Sequence, residues 1–420
     1  MSHSSPVHTS LAGPAARERL RSLDVFRGAS VALMILVNNP GSWKHLYPPL
    51  AHAQWHGCTP TDLVFPFFLF AVGNALALVM PGLEAGPAAA FWRKLVRRSV
   101  LIFALGLLLN AAPFVRWDSA GDLAWRDWGQ LRVMGVLQRI ALAWGAAALI
   151  VWLAGARRAI AALVVLLVGY WWVCVALGDA SDAYSLAGWF GTAVDRSLLG
   201  AAHLYQGEGQ AFDPEGLAST APAVAQVLLG WWVGRQFQGQ WPSAQTVVRL
   251  FVAAMLLAVL AYAWQLVMPL NKKIWTSSYV LLTSALAMAA LAALVWRIEL
   301  SAAPALSLPP PSTRSPPLKS SSRVDSAWIR FCEVFGKNAL FVFVMSGLVP
   351  RLLSLLRWSD GLDDSGQPRF ITPLPWLYRT LFADLGPDPR LGSLLFAVAN
   401  LALYWALAAW LDRRRIYIKV

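Results

Sequence analysis

Charged residues are scarce in this chain of 420 residues. Asp, Glu, Lys and Arg make up 14% of it, whereas 57% is hydrophobic and the mean hydropathy is +0.52. Soluble domains carry about 25% charged residues. So few charges cannot cover the surface of a water-soluble fold that must also bury 22 Trp and 19 Phe. The composition therefore excludes a soluble globular protein and predicts an integral membrane protein.

Cysteines are few, and the first residues do not follow the pattern of a secretory signal peptide. Cys58, Cys174 and Cys332 are odd in number and scattered, which argues against a disulfide framework and a cysteine-based metal site, and we expect no metal. The first apolar run follows a polar, basic stretch and lacks a small-residue cleavage site, so no secretory signal peptide is predicted. Residues 1–20 are predicted to be a disordered tail that precedes one transmembrane domain over 21–420.

Apolar runs long enough to cross a hydrocarbon layer of roughly 30 Å recur along the whole chain. They predict an all-α fold, a polytopic transmembrane helical bundle. It has about ten spans, at about 24–39, 60–80, 99–115, 131–153, 159–178, 221–237, 247–268, 277–296, 332–350 and 391–411.

The net charge of +13 is explained by topology. By position, 21 of the 35 Lys and Arg fall in the tails and in alternate connections, on one side of the membrane. Basic residues concentrate on the cytoplasmic side, so both termini are predicted to be cytoplasmic. Nucleic-acid binding is not expected. The partners implied are membrane lipid and, by base rates, a second copy in a homodimer.

Three segments depart from the regular pattern of spans. Residues 301–326, rich in Pro and Ser, are predicted to be a flexible cytoplasmic linker. Residues 179–220 form the longest loop on the far, periplasmic side, and a long loop beside a compact bundle is often functional. The stretch from Pro373 to Leu385 is typical of a short re-entrant or interfacial helix.

Four polar residues gather between the first two spans, at the far membrane face: Asn38, His52, His56 and Asp62. A carboxylate in a span is costly unless it is paired, and an imidazole is the obvious partner. Asp62 would fix the tautomer of a histidine and stabilise its protonated form, making it a general base near neutral pH. The alternative is structural, because Asp62 follows Thr59-Pro60-Thr61 and could simply cap a helix.

Several motifs resemble, in the same order, those of the heparan-α-glucosaminide N-acetyltransferase family of transmembrane acyltransferases. The resemblance covers roughly residues 20–350. It rests on the run from Arg21 to Phe70 with its His-Ala-x-Trp and Asp-Leu-Val-Phe-Pro signature, and on Gly135–Arg139, Asp195–Gly200, His203–Tyr205, Phe212–Gly216 and Pro269–Trp275. His56 stands where the lysosomal enzyme has Asn, and its soluble lumenal domain has no counterpart. The basic start of the sequence and the missing lumenal domain lead us to expect a bacterial inner-membrane relative.

The resemblance implies a transmembrane acetyl transfer, from cytosolic acetyl-CoA as co-substrate to an amino sugar or other glycan acceptor on the far side. His52 matches the catalytic histidine of the family. Its imidazole would either deprotonate the acceptor or carry the acetyl group as acetyl-histidine, and the sequence does not separate these routes. Asp62 would orient His52, and Asn38 would hold the acetyl carbonyl and its developing oxyanion.

Arg139 and Gln138, in the fourth span, are the expected cofactor-binding residues. An unpaired guanidinium in a span is costly, so either a phosphate of the co-substrate or a carboxylate should neutralise Arg139. A structural ion pair with Asp195, Asp213 or Glu215 is the alternative.

The remaining matched positions are expected to contact the acceptor. They are Trp55, His56, Asp213, Glu215, Lys272 and Trp275. Lys272 and Trp275 could equally be interfacial anchors, and a turn at Pro214 and Gly216 would explain the two carboxylates nearly as well.

Two other functions fit parts of the pattern. A transporter of a solute or lipid-linked sugar shares the polytopic fold and the buried polar residues, but would not consume acetyl-CoA. An O-acetyltransferase acting on a glycan hydroxyl would use the same general-base histidine. A non-catalytic scaffold would leave the grouping of His52 with Asp62 unexplained.

Overall fold

The computed structural model describes residues 20–118, 121–239, 241–301, 323–362 and 366–418. The predicted tail, except for Leu20, and residues 302–322 of the predicted linker lie outside the described residues. The described chain is mostly helical. Its helices are α1 Arg21–Asn38, α2 Val64–Glu84, α3 Ala88–Ala111, α4 Val136–Leu177, α5 Phe190–Leu199, α6 Thr220–Arg235, α7 Ala244–Trp264, α8 Ser277–Val295, α9 Arg323–Lys337, α10 Ala339–Leu353, α11 Pro373–Leu381 and α12 Pro389–Arg413.

Two antiparallel hairpins supply the small amount of sheet in the described chain. They pair β1 Val115–Trp117 with β2 Leu123–Trp125, and β3 Trp358–Leu362 with β4 Pro368–Ile371. Both lie between helices. Helix α11 matches the short helix predicted from Pro373, although it ends at Leu381.

Helix α4 corresponds to two predicted spans. Its 42 residues would measure about 63 Å as one straight helix, about twice the thickness of a hydrocarbon layer. The chain breaks at Gly155, whose φ of 69° is open to glycine but costly for other residues. The bend lies between the two predicted spans, next to Arg157 and Arg158.

The interior is built on α2, α6 and α8, which are buried nearly all round. Small residues bring α2 and α6 together: a β-carbon added at Gly73 would lie 2.1 Å from Val227 O, and one at Gly230 would lie 2.1 Å from Phe70 O. Backbone contact of this kind is a common way for helices to pack in lipid, where apolar side chains gain little from association. By contrast, α7 exposes apolar side chains outward.

Five described helices are long and apolar enough to cross a membrane, or six if α9 and α10 form one span. The pair α9 and α10 is bent by 79°, with Asn338 at the break, where one straight span over 332–350 was predicted. The predicted span over 99–115 lies in helix α3, which already begins at Ala88. The apolar run starts only after the basic residues near 93–98, but the helix includes them. The mostly helical fold, with several apolar helices that could cross a membrane, is therefore confirmed, and the count of ten spans stays a prediction.

Four connections meet at one end of the bundle, called here the loop end: residues 39–63, 112–135, 178–219 and 265–276. Gly57 N donates to Leu270 O at 2.8 Å, and Trp55 Nε1 donates to Tyr184 O at 2.8 Å. Val133 N donates to His203 O at 3.0 Å. The loop end therefore brings together most of the residues singled out in the sequence.

The start of α1 and the end of α12 lie at the opposite end of the bundle. Arg21 pairs with Glu333 at 3.0 Å, and Lys337, one turn further along α9, pairs with Asp412 at 3.1 Å. The predicted cytoplasmic location of this end is not tested by the fold.

Candidate active site

Asp62 is held in a short 3₁₀ turn, Pro60–Leu63, that leads directly into α2. Its Oδ2 accepts hydrogen bonds from Thr59 N and Thr59 Oγ1, both at 3.0 Å, and from Ala53 N at 3.1 Å. The carboxylate is 1% exposed. The capping role considered for Asp62 is therefore present, but it occupies only one of the two carboxylate oxygens.

The other oxygen of Asp62 faces His52. His52 Nδ1 lies 2.7 Å from Asp62 Oδ1, and the His52 side chain is 40% exposed. An ionised carboxylate only accepts hydrogen bonds, so the proton of the neutral imidazole lies on Nδ1 and Nε2 carries a lone pair. This is the arrangement that a general base or an imidazole nucleophile requires.

Lys272, from the connection between α7 and α8, completes this cluster. Its Nζ lies 3.0 Å from His52 Nδ1, 3.3 Å from His52 Nε2 and 3.6 Å from Asp62 Oδ1. Burial lowers the pKa of Lys272, and the nearby Asp62 carboxylate opposes that shift. Sequence reasoning expected Lys272 to contact the acceptor and did not place it against His52, because the two residues are 220 positions apart.

Asn38 is not part of the cluster. It is the last residue of α1 and is exposed. Within the described residues, no side-chain hydrogen bond joins it to His52 or Asp62. Its expected role at the acetyl carbonyl stays a prediction that the geometry does not support.

A second ionic cluster at the loop end is formed by Arg132, Asp213 and Glu215. Arg132 binds Asp213 with two hydrogen bonds, at 2.9 and 2.6 Å, and Glu215 with one at 2.6 Å. Its guanidinium also lies 4.9 Å from the ring centre of Tyr205. Burial would raise the pKa of Glu215, but Arg132 and the more distant Arg139 and Lys272 together lower it. Sequence reasoning missed Arg132, since nothing local to it predicts a contact 81 residues away.

Arg139 is completely buried just inside the loop end of α4. Its Nη2 donates to Gly216 O at 3.2 Å and to Ser219 Oγ, and the guanidinium lies 5.0 Å from the ring centre of Trp275. Nε and Nη1 have no hydrogen-bond partner, and no ion pair joins Arg139 to a carboxylate among the described residues. The ion-pair alternative is therefore not observed.

The neighbouring Gln138 and the nearby Asp195 are also incompletely paired. Gln138 is 1% exposed and its Nε2 has no partner. Asp195 Oδ1 accepts from Ala218 N at 3.1 Å, while Oδ2 has no hydrogen bond. Burial raises the pKa of Asp195 to about 6. Together with Arg139, these atoms form a buried polar region with unused hydrogen-bonding capacity.

An aromatic wall borders the cluster. Trp55 is half-buried, with its ring centre 5.6 Å from that of Phe212. His56 Nδ1 lies 3.4 Å from Asn271 Nδ2, and burial lowers the pKa of His56. These side chains lie beside His52 in the same connection and could form one wall of an acceptor site.

Trp275 differs from the residues of that wall because it is 1% exposed. It packs against Phe65 and Tyr279, at ring-centre distances of 5.0 and 5.4 Å. Tyr279 in turn donates to the Asp62 main-chain oxygen at 2.5 Å. Trp275 is therefore neither an interfacial anchor nor a residue that faces solvent. It supports the cluster from the membrane side.

No group of three His, Cys, Asp or Glu side chains in the part of the chain described by the structure is arranged to hold a metal ion. The fold and the site together define a multi-pass helical membrane protein with a histidine–carboxylate cluster at one end.

Comparison with known proteins agrees with the motifs. A family profile described as "Domain of unknown function (DUF5009)" matches residues 19–123. Human heparan-α-glucosaminide N-acetyltransferase is 28% identical over 322 residues, which cover 64% of this chain and 47% of the human protein. The mouse protein of the same name is 26% identical over 315 residues, covering 62% and 46%.

The chain thus spans about half the length of these relatives. The two matches support its membership of the heparan-α-glucosaminide N-acetyltransferase family, as the motifs predict.

Proposed function

We propose that this protein is a membrane acetyltransferase that moves an acetyl group from acetyl-CoA to an amino sugar or other glycan acceptor. The name shared by the two relatives supports an acyltransferase. The observation that carries the proposal is the state of His52. Its Nδ1 is tied to a buried carboxylate, while Nε2 keeps its lone pair at the exposed loop end.

The cluster serves direct transfer by general-base catalysis. The acceptor N–H or O–H gives its proton to His52 Nε2 as the acceptor attacks the acetyl carbonyl carbon. The carbonyl re-forms, the C–S bond breaks, and the CoA thiolate takes the proton from Nε2. Asp62 stabilises the imidazolium that exists between the two proton transfers.

The same cluster serves transfer through acetyl-histidine. The Nε2 lone pair attacks the carbonyl carbon, and the C–S bond pair leaves with CoA as the thiolate. Asp62 balances the positive charge of the acetylated ring. The acceptor then attacks the acetyl carbon, loses its proton to solvent, and the C–N bond pair returns to Nε2.

The substrates are assigned to the two sides of the cluster. Trp55 and His56 form the wall for the acceptor, with Asp213 and Glu215 beyond them. Arg139 and Gln138 offer unused donors to the co-substrate from within the bundle. The basic residues at the opposite end favour entry of acetyl-CoA from the cytoplasm, so that the acetyl group crosses the membrane within the bundle.

The test is turnover of acetyl-CoA by the full chain purified in detergent, with glucosamine as trial acceptor. We expect acetylated product from the wild type and none from His52→Ala, with CoA binding retained. His45→Ala is the matched control, because His45 is exposed and contacts Ser42 at 3.3 Å, not the cluster.

Turnover unchanged in His52→Ala would overturn the role of His52. A wild type that neither binds nor consumes acetyl-CoA would overturn the acetyltransferase and favour a transporter. Replacing glucosamine with an acceptor that offers only hydroxyl groups separates N-acetyl from O-acetyl transfer.

A further inference from the structure

Lys272 Nζ lies closer to the His52 ring than a role in binding the acceptor requires. An ammonium group only donates hydrogen bonds, and Nδ1 of His52 already donates to Asp62. The 3.0 Å contact between Lys272 Nζ and Nδ1 is therefore not a hydrogen bond. The ammonium lies against the imidazole as a charge.

The same distances show that Lys272 leaves the lone pair of His52 free. The lone pair is on Nε2, lies in the plane of the ring and points outward from the ring, away from Nδ1. An atom 3.0 Å from Nδ1 and 3.3 Å from Nε2 is nearly equidistant from both nitrogens and cannot lie on that axis. A reacting carbonyl carbon can approach Nε2 while Lys272 stays in place.

We propose that Lys272 is a catalytic residue whose ammonium stabilises the negative oxygen formed when a carbonyl group reacts at His52. In an adduct at Nε2, the carbonyl oxygen is two bonds from that nitrogen, within reach of a donor 3.3 Å away. The π pair of the carbonyl moves onto this oxygen as the new bond forms, and returns when the C–S bond breaks. This inference rests on the proposed function and names the group that supplies its electrostatic stabilisation.

The charges around the site are consistent with this role. Before reaction, Asp62 and Lys272 balance each other beside a neutral imidazole. As the adduct forms, the ring gains a positive charge that Asp62 balances, and the carbonyl oxygen gains a negative charge. The Lys272 ammonium then offers that oxygen a charged hydrogen-bond donor. Lys273 is directed elsewhere, to Glu208 at 2.6 Å. A positioned donor of this kind contributes about 10²–10³-fold in rate in enzymes that form oxyanions.

A small acylating reagent tests Lys272 without acetyl-CoA or acceptor. Diethyl pyrocarbonate reacts at imidazole nitrogen through the same tetrahedral oxyanion. The rate of modification of His52 is measured by mass spectrometry on the full chain at about pH 8, where ordinary imidazoles are neutral. His45 in the same molecules is the internal reference.

We expect Lys272→Met to slow modification of His52 roughly tenfold or more relative to His45, as part of the effect seen for oxyanion donors. Lys272→Leu, which also lacks a donor, should behave in the same way, and serves if the Met variant fails to fold. Lys272→Arg keeps the charge and should stay within about threefold of the wild type. Lys273→Met is the matched control and should leave the ratio unchanged.

An unchanged or faster reaction of His52 in both neutral variants overturns the proposal. Acetyl transfer then gives a separate readout. Loss of kcat at unchanged acceptor KM in Lys272→Met supports the oxyanion role, whereas a raised acceptor KM at unchanged kcat contradicts it. If the wild type does not consume acetyl-CoA but His52 reactivity still depends on Lys272, the proposed function fails and the role of Lys272 stands.

Discussion

Two clusters of cations and carboxylates lie at the loop end and differ in what they leave unpaired. In the Arg132 cluster, the guanidinium donates two hydrogen bonds to Asp213 and one to Glu215, and Asp213 also accepts from Tyr205 N and Glu215 N. In the His52 cluster, the carboxylate is equally buried, but His52 Nε2 keeps its lone pair and its side chain is 40% exposed. When every charged side chain of a cluster is paired, the cluster stabilises the fold. A reactive side chain must instead be held in position while one of its atoms stays without a hydrogen bond.

The largest expected effect comes from changing Asp62, the carboxylate of the His52 cluster. Asp62→Asn puts an amide opposite Nδ1, so the orientation and charge balance of His52 are lost. Acetyl transfer should fall roughly 10²–10⁴-fold, as it does when a histidine loses its orienting carboxylate. Turnover of acetyl-CoA measures this, with His45→Ala as control. Activity within a factor of a few of the wild type would mean that Asp62 is only a cap.

The next prediction distinguishes the two clusters, because it changes Tm and leaves the reactivity of His52 unchanged. Arg132→Met leaves the buried Asp213 and the nearby Glu215 without their counterion, which costs about 3 kcal/mol in unfolding free energy. Thermal unfolding in detergent should show a clearly lower Tm. The reactivity of His52 towards diethyl pyrocarbonate should be unchanged in the fraction that stays folded. A normal Tm with lost His52 reactivity would reverse the roles assigned to the two clusters.

A pH dependence should arise beside the Arg132 cluster, from Asp195. Burial raises its pKa to about 6 in the folded protein, above the roughly 3.9 of an unfolded chain. The folded state therefore holds more protons between these values, so stability decreases as pH rises through this window.

Asp195→Asn removes this term and keeps an acceptor for Ala218 N. The variant should gain Tm relative to the wild type at about pH 7.5 and lose that gain at about pH 4. An equal Tm difference at both pH values would show that Asp195 does not titrate in this window.

The smallest effect is expected at Cys58, whose thiol lies next to the His52 cluster. Burial, together with the Asp62 carboxylate, raises the pKa of Cys58 to about 12. The thiolate is the nucleophilic form, so Cys58 should resist alkylation at about pH 8 in the folded protein. Mass spectrometry after iodoacetamide treatment checks this, and denatured protein is the control. Rapid labelling with loss of turnover would mean that the cluster is more open than its burial indicates.

Much of the fold could be predicted because a helix in lipid must satisfy its own backbone, which leaves a long apolar run in the sequence. The bend in α4 was anticipated as two spans, since Arg157 and Arg158 interrupt the apolar run there. The break at Asn338 was not predicted, although Gly336, Lys337 and Asn338 interrupt the apolar run at that point.

The candidate site was predictable only where its residues are close in sequence. His52 and Asp62 are ten positions apart, and a turn at Pro60 brings them together. Lys272 and Arg132 reach their partners across 220 and 81 positions, through the packing of whole helices that no local pattern describes. Asn38 was expected beside His52 because it is near in sequence, but α1 ends with it exposed.

The close contact of α2 with α6 fixes the scale of the loop end. Asp62 directly precedes α2, and the turn that carries Asp213 and Glu215 precedes α6. Since β-carbons are excluded where Gly73 and Gly230 meet the partner backbones, the two helices cannot slide or separate without opening a gap in the interior. The distance between the His52 cluster and the turn with Asp213 and Glu215 is thus set inside the bundle, and the surface connections can vary in sequence without changing it.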